Sequence, residues 1–276
     1  MKTNKWITGM AICAGIGLAA CTSMDEGLSG PAETGEGQLV ISLASGTNFT
    51  EETRALNEAS FANTANYTVQ VLDKENNEKL NCKGSEITSK MPITLPIGEC
   101  TVKAYYGSEE AASRDNFYVY GEWTGTIKSE QKENIALTCT PTCGKVTVNF
   151  DQSMAIYYSD YSIKFSGTKA LGGKSIDWAK NDTEPWYVLL DKDGENISFS
   201  ITAITKEDFV NSSNMEQTYT KTGTFPLQRN KAYKMNVKSV YTPSEGGGET
   251  GMIIEITIDE STNDKEHDIE VPVTWI

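Results

Sequence analysis

The sequence predicts an all-β protein of two tandem Greek-key β-sandwiches behind a secretion signal and a flexible tether. Short runs with apolar and polar residues alternating at period two fill the chain from residue 38 onward, the pattern of strands with one buried face. Turn residues punctuate those runs at the spacing expected of sandwiches. The runs also repeat in order. Tyr67-Thr68-Val69-Gln70-Val71 is echoed by Tyr161-Ser162-Ile163-Lys164-Phe165, and Gly98-Glu99 before Val102-Lys103-Ala104 by Gly194-Glu195 before Ile201-Thr202-Ala203. Gly125-Thr126-Ile127 is echoed by Gly223-Thr224-Phe225. Three echoes at nearly constant offset point to two copies of one plan.

The chain starts with Lys2 and Lys5, then an apolar segment from Trp6 to Leu18 that ends in Leu18-Ala19-Ala20-Cys21. That segment suits the core of a signal peptide and is too short to span a membrane. Residues 1–20 are expected to be removed as a lipoprotein signal. Cys21 is then expected to carry a thioether-linked diacylglyceryl group and a further N-acyl chain such as palmitate. Two or three chains anchor far more firmly than one, because each buried CH2 contributes about 0.8 kcal/mol. Residues 21–37 are polar and Gly-rich and read as a tether. Within them Asp25 and Glu26 resemble the acidic tag that sends Bacteroidetes lipoproteins to the cell surface. The expected location is the outer membrane, lipid-anchored and surface-exposed.

Strands of the first sandwich, residues 38–142, are expected at Gln38–Leu43, Tyr67–Leu72, Ile93–Leu95, Cys100–Tyr105, Tyr118–Trp123 and Ile135–Cys139. Thr140-Pro141-Thr142 marks its end, since Pro cannot donate to a ladder. The second sandwich, 143–242, is expected to use Val146–Phe150, Tyr161–Phe165, Trp186–Leu190, Ile197–Ile204 and Tyr233–Val240. Glu51–Ala62 and Lys206–Asn211 read as short helices. Residues 243–276 form a Gly-rich linker followed by strands Met252–Ile258 and Ile269–Ile276, joined by a polar run. The last strand is either the end of its own sheet or a strand offered to another sheet's open edge.

Composition narrows the chemistry. Losing the signal with its two lysines takes the formal charge from −14 to −16, which argues against nucleic acid and anionic membrane surfaces as partners. Four cysteines remain besides Cys21, and three disulfide pairings are open to them. Cys100 and Cys139 alternate inward with apolar neighbours, so unpaired core thiols are the preferred reading. The single histidine, His267, lies in a polar run, which leaves no partner for a triad or a zinc site. No metal, cofactor or catalytic residue is expected. Asp191-Lys192-Asp193-Gly194 reads as a hairpin turn rather than a calcium loop. Trp178, Trp186 and Tyr187, around Asn181–Pro185, form a candidate glycan platform if exposed; aromatics that flank a loop more often pack beneath it.

The chain resembles a family of Bacteroidales lipoproteins catalogued as domain of unknown function 4493, and more distantly the fimbrillins that polymerise into fimbriae. Tyr67–Val71, Leu95-Pro96-Ile97-Gly98, Val102-Lys103-Ala104, Phe117–Gly121, Leu137-Thr138-Cys139, Lys145–Val148 and Tyr158–Tyr161 carry the likeness. Cys100 departs from it, standing where an aromatic is usual. The fimbrillin resemblance implies transthyretin-like sandwiches, a lipidated precursor, and proteolysis after an arginine that strips the first strand. The matching residues are Thr53-Arg54-Ala55, behind the strand Gln38–Leu43, so Arg54 and Ala55 are the candidate maturation site. The alternative is that Arg54 is a solvated helix residue and the first strand stays. A neighbour's Ile269, Val271, Val273 and Trp275 would refill the opened groove by strand addition. The function expected is a fimbrial or adhesion subunit that associates with itself or other subunits. The competing expectation is a monomeric surface lipoprotein that captures a glycan or host protein.

Overall fold

Period-two alternation becomes strand wherever a partner ladder is available, and the computed structural model of the chain consists mostly of such ladders. It describes residues 35–49, 55–206, 218–242, 251–262, 265–270 and 274–275. Cys21, Arg54, Val271 and Val273 lie outside the described residues.

In the first half the strands are β1 (Glu36–Ser45), β2 (Thr68–Asp73), β3 (Glu78–Lys83), β4 (Ile93–Pro96), β5 (Gly98–Tyr106), β6 (Ala112–Ser113), β7 (Val119–Ile127) and β8 (Lys132–Pro141). Single-turn helices α1 (Ala59–Ala62) and α2 (Ile87–Lys90) sit between them. Seven of the strands form one sheet in the order β3-β2-β5-β7-β8-β1-β4. The first strand lies parallel to β8, with Gln38 opposite Lys132 and Ser45 opposite Cys139, and antiparallel to β4 over Glu36–Leu39.

The second half holds β9 (Cys143–Phe150), α3 (Gln152–Tyr157), β10 (Tyr158–Ser166), β11 (Ser175–Ala179), β12 (Trp186–Leu189), β13 (Glu195–Thr205), β14 (Thr218–Leu227) and β15 (Ala232–Thr242). The chain continues through β16 (Gly251–Thr262), β17 (Lys265–Glu270) and β18 (Thr274–Trp275). One sheet runs β11-β10-β13-β14-β18 and another β17-β16-β15-β9-β12-β6. Asp151 caps α3 by accepting from the Ser153 N–H at 2.8 Å, as an N-cap aspartate does.

Two cores result. Leu39, Val69, Val102, Ile127 and Leu137 fill the first. Val146, Ile163, Trp178, Ile201 and Met235 fill the second. The sheet containing β9 and β12 serves both. Along β9, Cys143 joins the first core and Val146 and Val148 the second; along β12, Tyr187 joins the first and Val188 the second. Alternation therefore feeds a core on each face of this layer. Contacts unite Gly35–Ile276 into one unit.

Several expectations are corrected. Asp191–Gly194 does form a turn, with the Gly194 N–H donating to the Asp191 carbonyl at 3.0 Å, but it is no hairpin. It connects β12, which pairs with β9, to β13, which pairs with β10 and β14. The polar run after Ile258 is not a connector: β16 extends to Thr262 and β17 returns along it, with His267 opposite Glu260. Ladder pairing wins there because an antiparallel neighbour lies close by in sequence. The strands β3, β6, β11 and β14 are missed in sequence; the first three are edge strands and β14 lies between β13 and β18, and β11 alternates with Ile176 and Trp178 inward in a run too short and polar to stand out. All four cysteines, Cys82, Cys100, Cys139 and Cys143, are buried and free. Burial raises the Cys139 thiol to about 12, and burial together with nearby Asp73 raises Cys100 to about 11.

Candidate functional site

The candidate site is β1 with the chain on either side of Arg54. Leu39 and Ile41 point inward and are buried, while Gln38, Ser42 and Ala44 are exposed. Beyond Leu39 the strand β4 has ended, and the Ile41 N–H turns instead to Met91 Sδ at 3.3 Å. From Val40 to Ser45 the only ladder partner among the described residues is β8.

Past β1 the chain is tied to the second sandwich twice. Before Arg54, Asn48 and Asn230 exchange bonds: the Asn48 N–H donates to Asn230 Oδ1 at 2.8 Å, and Asn48 Nδ2 donates to the Asn230 carbonyl at 2.9 Å. Asn230 Nδ2 also donates to the Gly46 carbonyl at 2.7 Å. The next side chain, Phe49, is buried edge-on against Phe117 at 5.4 Å and tilted against Tyr187 at 5.9 Å. After Arg54, Ala55 is exposed and Leu56 buried. Glu58 is then fully buried: Lys145 Nζ lies 2.7 Å from Glu58 Oε1, and the Tyr187 hydroxyl donates to that same oxygen at 2.5 Å. Buried charges persist only when paired and hydrogen-bonded, and Lys145 and Glu58 meet that condition at the seam between the two cores.

Sequence reasoning missed Glu58 and Lys145. Lys145 stands on the polar phase of Lys145-Val146-Thr147-Val148, which ordinarily faces water. Here the first sandwich covers that phase, and Lys145 is 4% exposed. Nothing local signals this.

The aromatic platform is not presented. Trp178 and Tyr187 are buried at 0% and 1% exposure. The Trp178 indole N–H donates to the Glu184 carbonyl at 2.7 Å, and the half-buried Trp186 donates to the Asp177 carbonyl at 3.3 Å. Arg114 takes the place a sugar would need. Its guanidinium lies 4.6 Å from the Trp186 ring centroid and 5.8 Å from that of Trp178. It is held there by bidentate bonds to Asp182 at 2.9 and 2.7 Å, the fork geometry that arginine offers a carboxylate. The reason is the loop length: Asn181–Pro185 folds back, so the aromatics flanking it pack beneath.

Of the candidate donor residues, Ile269 lies on β17 opposite Ile258, and Trp275 on β18 opposite Lys221. Both pair within this chain. Among the described residues no group of three His, Cys, Asp or Glu could hold a metal ion, and no helix is long and apolar enough to cross a membrane.

Comparisons with known proteins follow this geometry. No curated protein sequence matches the chain. Among solved structures, it is similar to a fimbrial assembly protein from Parabacteroides distasonis at 11% identity and TM-score 0.41, covering 88% of this chain and 99% of that one. It is also similar to the fimbrial anchor protein Mfa2 from Porphyromonas gingivalis at 12% identity and TM-score 0.40, covering 84% and 99%. The family described as a domain of unknown function (DUF4493) matches residues 35–273. This protein belongs to that family.

Proposed function

We propose that this protein is a lipid-anchored structural subunit of the cell surface, acting in fimbrial or adhesive assembly and joined to neighbouring subunits by β-strand addition. The observation that carries the reading is the placement of β1. It is the first described strand, it fills the first core with Leu39 and Ile41, and Arg54 follows it nine residues on in sequence. Cleavage after Arg54 would free it as a unit. The vacated groove would offer the β8 ladder and an apolar trench, the two features by which an added strand gains affinity and register.

The lipobox ending in Cys21, the acidic pair Asp25 and Glu26, and the fimbrillin-like segments support the same reading. The burial of Trp178 and Tyr187 favours assembly over glycan capture through that loop. Nothing among the described residues favours catalysis: the thiols are buried and protonated, and the one buried Lys–Glu pair is occupied with itself.

The test is the intact mass and N-terminus of the protein recovered from native outer membrane. An N-terminus at Ala55 supports maturation and strand exchange. An acylated Cys21 as the sole form keeps the anchor and eliminates cleavage at Arg54, leaving an anchoring or stand-alone role.

A further inference from the structure

The groove around β1 has no room for a side chain at Gly37. A Cβ there would lie 2.3 Å from the Lys128 carbonyl oxygen, 2.7 Å from Ile127 Cγ2 and 3.2 Å from the Gln131 carbonyl oxygen. Two of those three are backbone atoms, and Ile127 is buried at 1% exposure, so none can swing aside as the end of a flexible side chain would. The wall is the turn that joins β7 to β8, and it is bonded to the strand it confines. The Glu130 N–H donates to the Glu36 carbonyl at 2.8 Å, and the Gln38 N–H donates to the Gln131 carbonyl at 2.8 Å. Shifting the turn to admit a side chain would break the bonds that hold the strand in register. Gly35 and Gly46 are less strict, since a Cβ at either first meets a side chain, Ser129 or Thr140.

We infer that this groove accepts only a strand carrying glycine two positions ahead of its first inward apolar residue, Gly-x-apolar-x-apolar running parallel to β8, and that its occupant in exchange is β1 of a second copy rather than residues 269–275 of one. The inference rests on the strand-exchange reading above and specifies its partner. β1 meets the requirement with Gly37, Leu39 and Ile41. The C-terminal strand does not. Placing Ile269 at the Leu39 position puts His267 at Gly37; sliding by two puts Ile269 there, and by four Val271. Every register that fills the apolar positions forces a bulky residue against the Lys128 carbonyl, and overpacking of that kind is costly.

The test uses the full chain, cut in its folded state at Arg54 with an arginine-specific protease and offered fluorescent peptides. These would be the β1 sequence, its Gly37→Val form, and residues 267–276. The expected result is that the β1 peptide exchanges into the cut protein, while the other two do so roughly tenfold or more weakly. Equal uptake of the Gly37→Val or the 267–276 peptide overturns the inference and leaves strand exchange standing. If even the β1 peptide fails to enter, strand exchange itself is wrong. The steric gate is then judged on uncut protein carrying Gly37→Val or, as control, Gln38→Val at an exposed position of the same strand. Melting several degrees lower for Gly37→Val alone supports the gate; equal melting overturns it.

Discussion

In both sandwiches the first strand lies parallel to the strand that closes the half: β1 on β8, and β9 on β15. The next strands correspond as well, β2-β5-β7 in the first and β10-β13-β14 in the second, all antiparallel. The two initial strands differ in how they are held. From Val40 onward β1 has one ladder partner among the described residues, and its outward positions Ser42 and Ala44 are exposed. The strand β9 is paired with β15 on one edge and β12 on the other, and Cys143, Gly144, Lys145 and Val146 are all buried. A strand flanked on both edges and covered on both faces is part of the framework, whereas a strand with one described ladder partner and one covered face is held by fewer contacts. The difference comes from what packs beside each strand, since the fold plan is the same.

The largest effect should come from the seam that covers the outer face of β9. Glu58→Ala leaves Lys145 buried without its carboxylate and should cost about 3–5 kcal/mol, measurable by urea denaturation. Replacing both partners, Glu58→Met with Lys145→Met, should recover most of that loss, because apolar residues of similar volume need no counter-charge. If the double variant were no more stable than the single, the pair would not be what joins β9 to the first core.

Truncating the inward residues of β1 comes next. Leu39→Ala should cost about 2–5 kcal/mol through lost burial and a cavity. The comparison sharpens under hydrogen exchange. Amides of Val40–Ser45 should exchange faster than those of Lys145 and Val146, because the former lie beside one described ladder partner and the latter between two. Similar protection in both strands would remove the distinction between them.

A smaller effect lies at Arg114–Asp182. Burial pushes the Asp182 carboxyl up, and the hydrogen bonds and charge of Arg114 more than reverse it, so it ends below the ordinary range. A depressed acid stabilises the fold above its unfolded pKa of about 3.9, and the contribution disappears as pH falls through the lower folded value. Asp182→Asn should therefore melt below the parent at pH 7, and the gap should close in strong acid. A gap that persists unchanged at low pH would assign the loss to packing rather than charge.

The smallest effect concerns the thiols. Buried and shifted up, Cys100 and Cys139 should resist alkylation at pH 8 in the folded protein and react fully in denaturant, since only the thiolate is nucleophilic. Rapid labelling of the folded chain would mean that the first core opens on its own.

The sequence by itself determined what alternation can report: most of the strands, their inward residues, and the inward phase of Cys100 and Cys139. Leu39 and Ile41 were legible as core. The tertiary structure alone decided what covers the other face. Lys145 is polar at an outward phase, and only the docking of the first sandwich turns that phase into a buried seam with Glu58 and Tyr187. Trp178 and Trp186 border a loop in the sequence, yet Arg114, far earlier in the chain, packs against both rings. Gly37 looks like the end of a tether, yet the backbone of the β7–β8 turn leaves no room for a side chain there. The physical reason is common to all three. Periodicity records whether a residue suits water or apolar surroundings, whereas contacts across the fold depend on which distant backbone arrives beside it, and no local pattern encodes that.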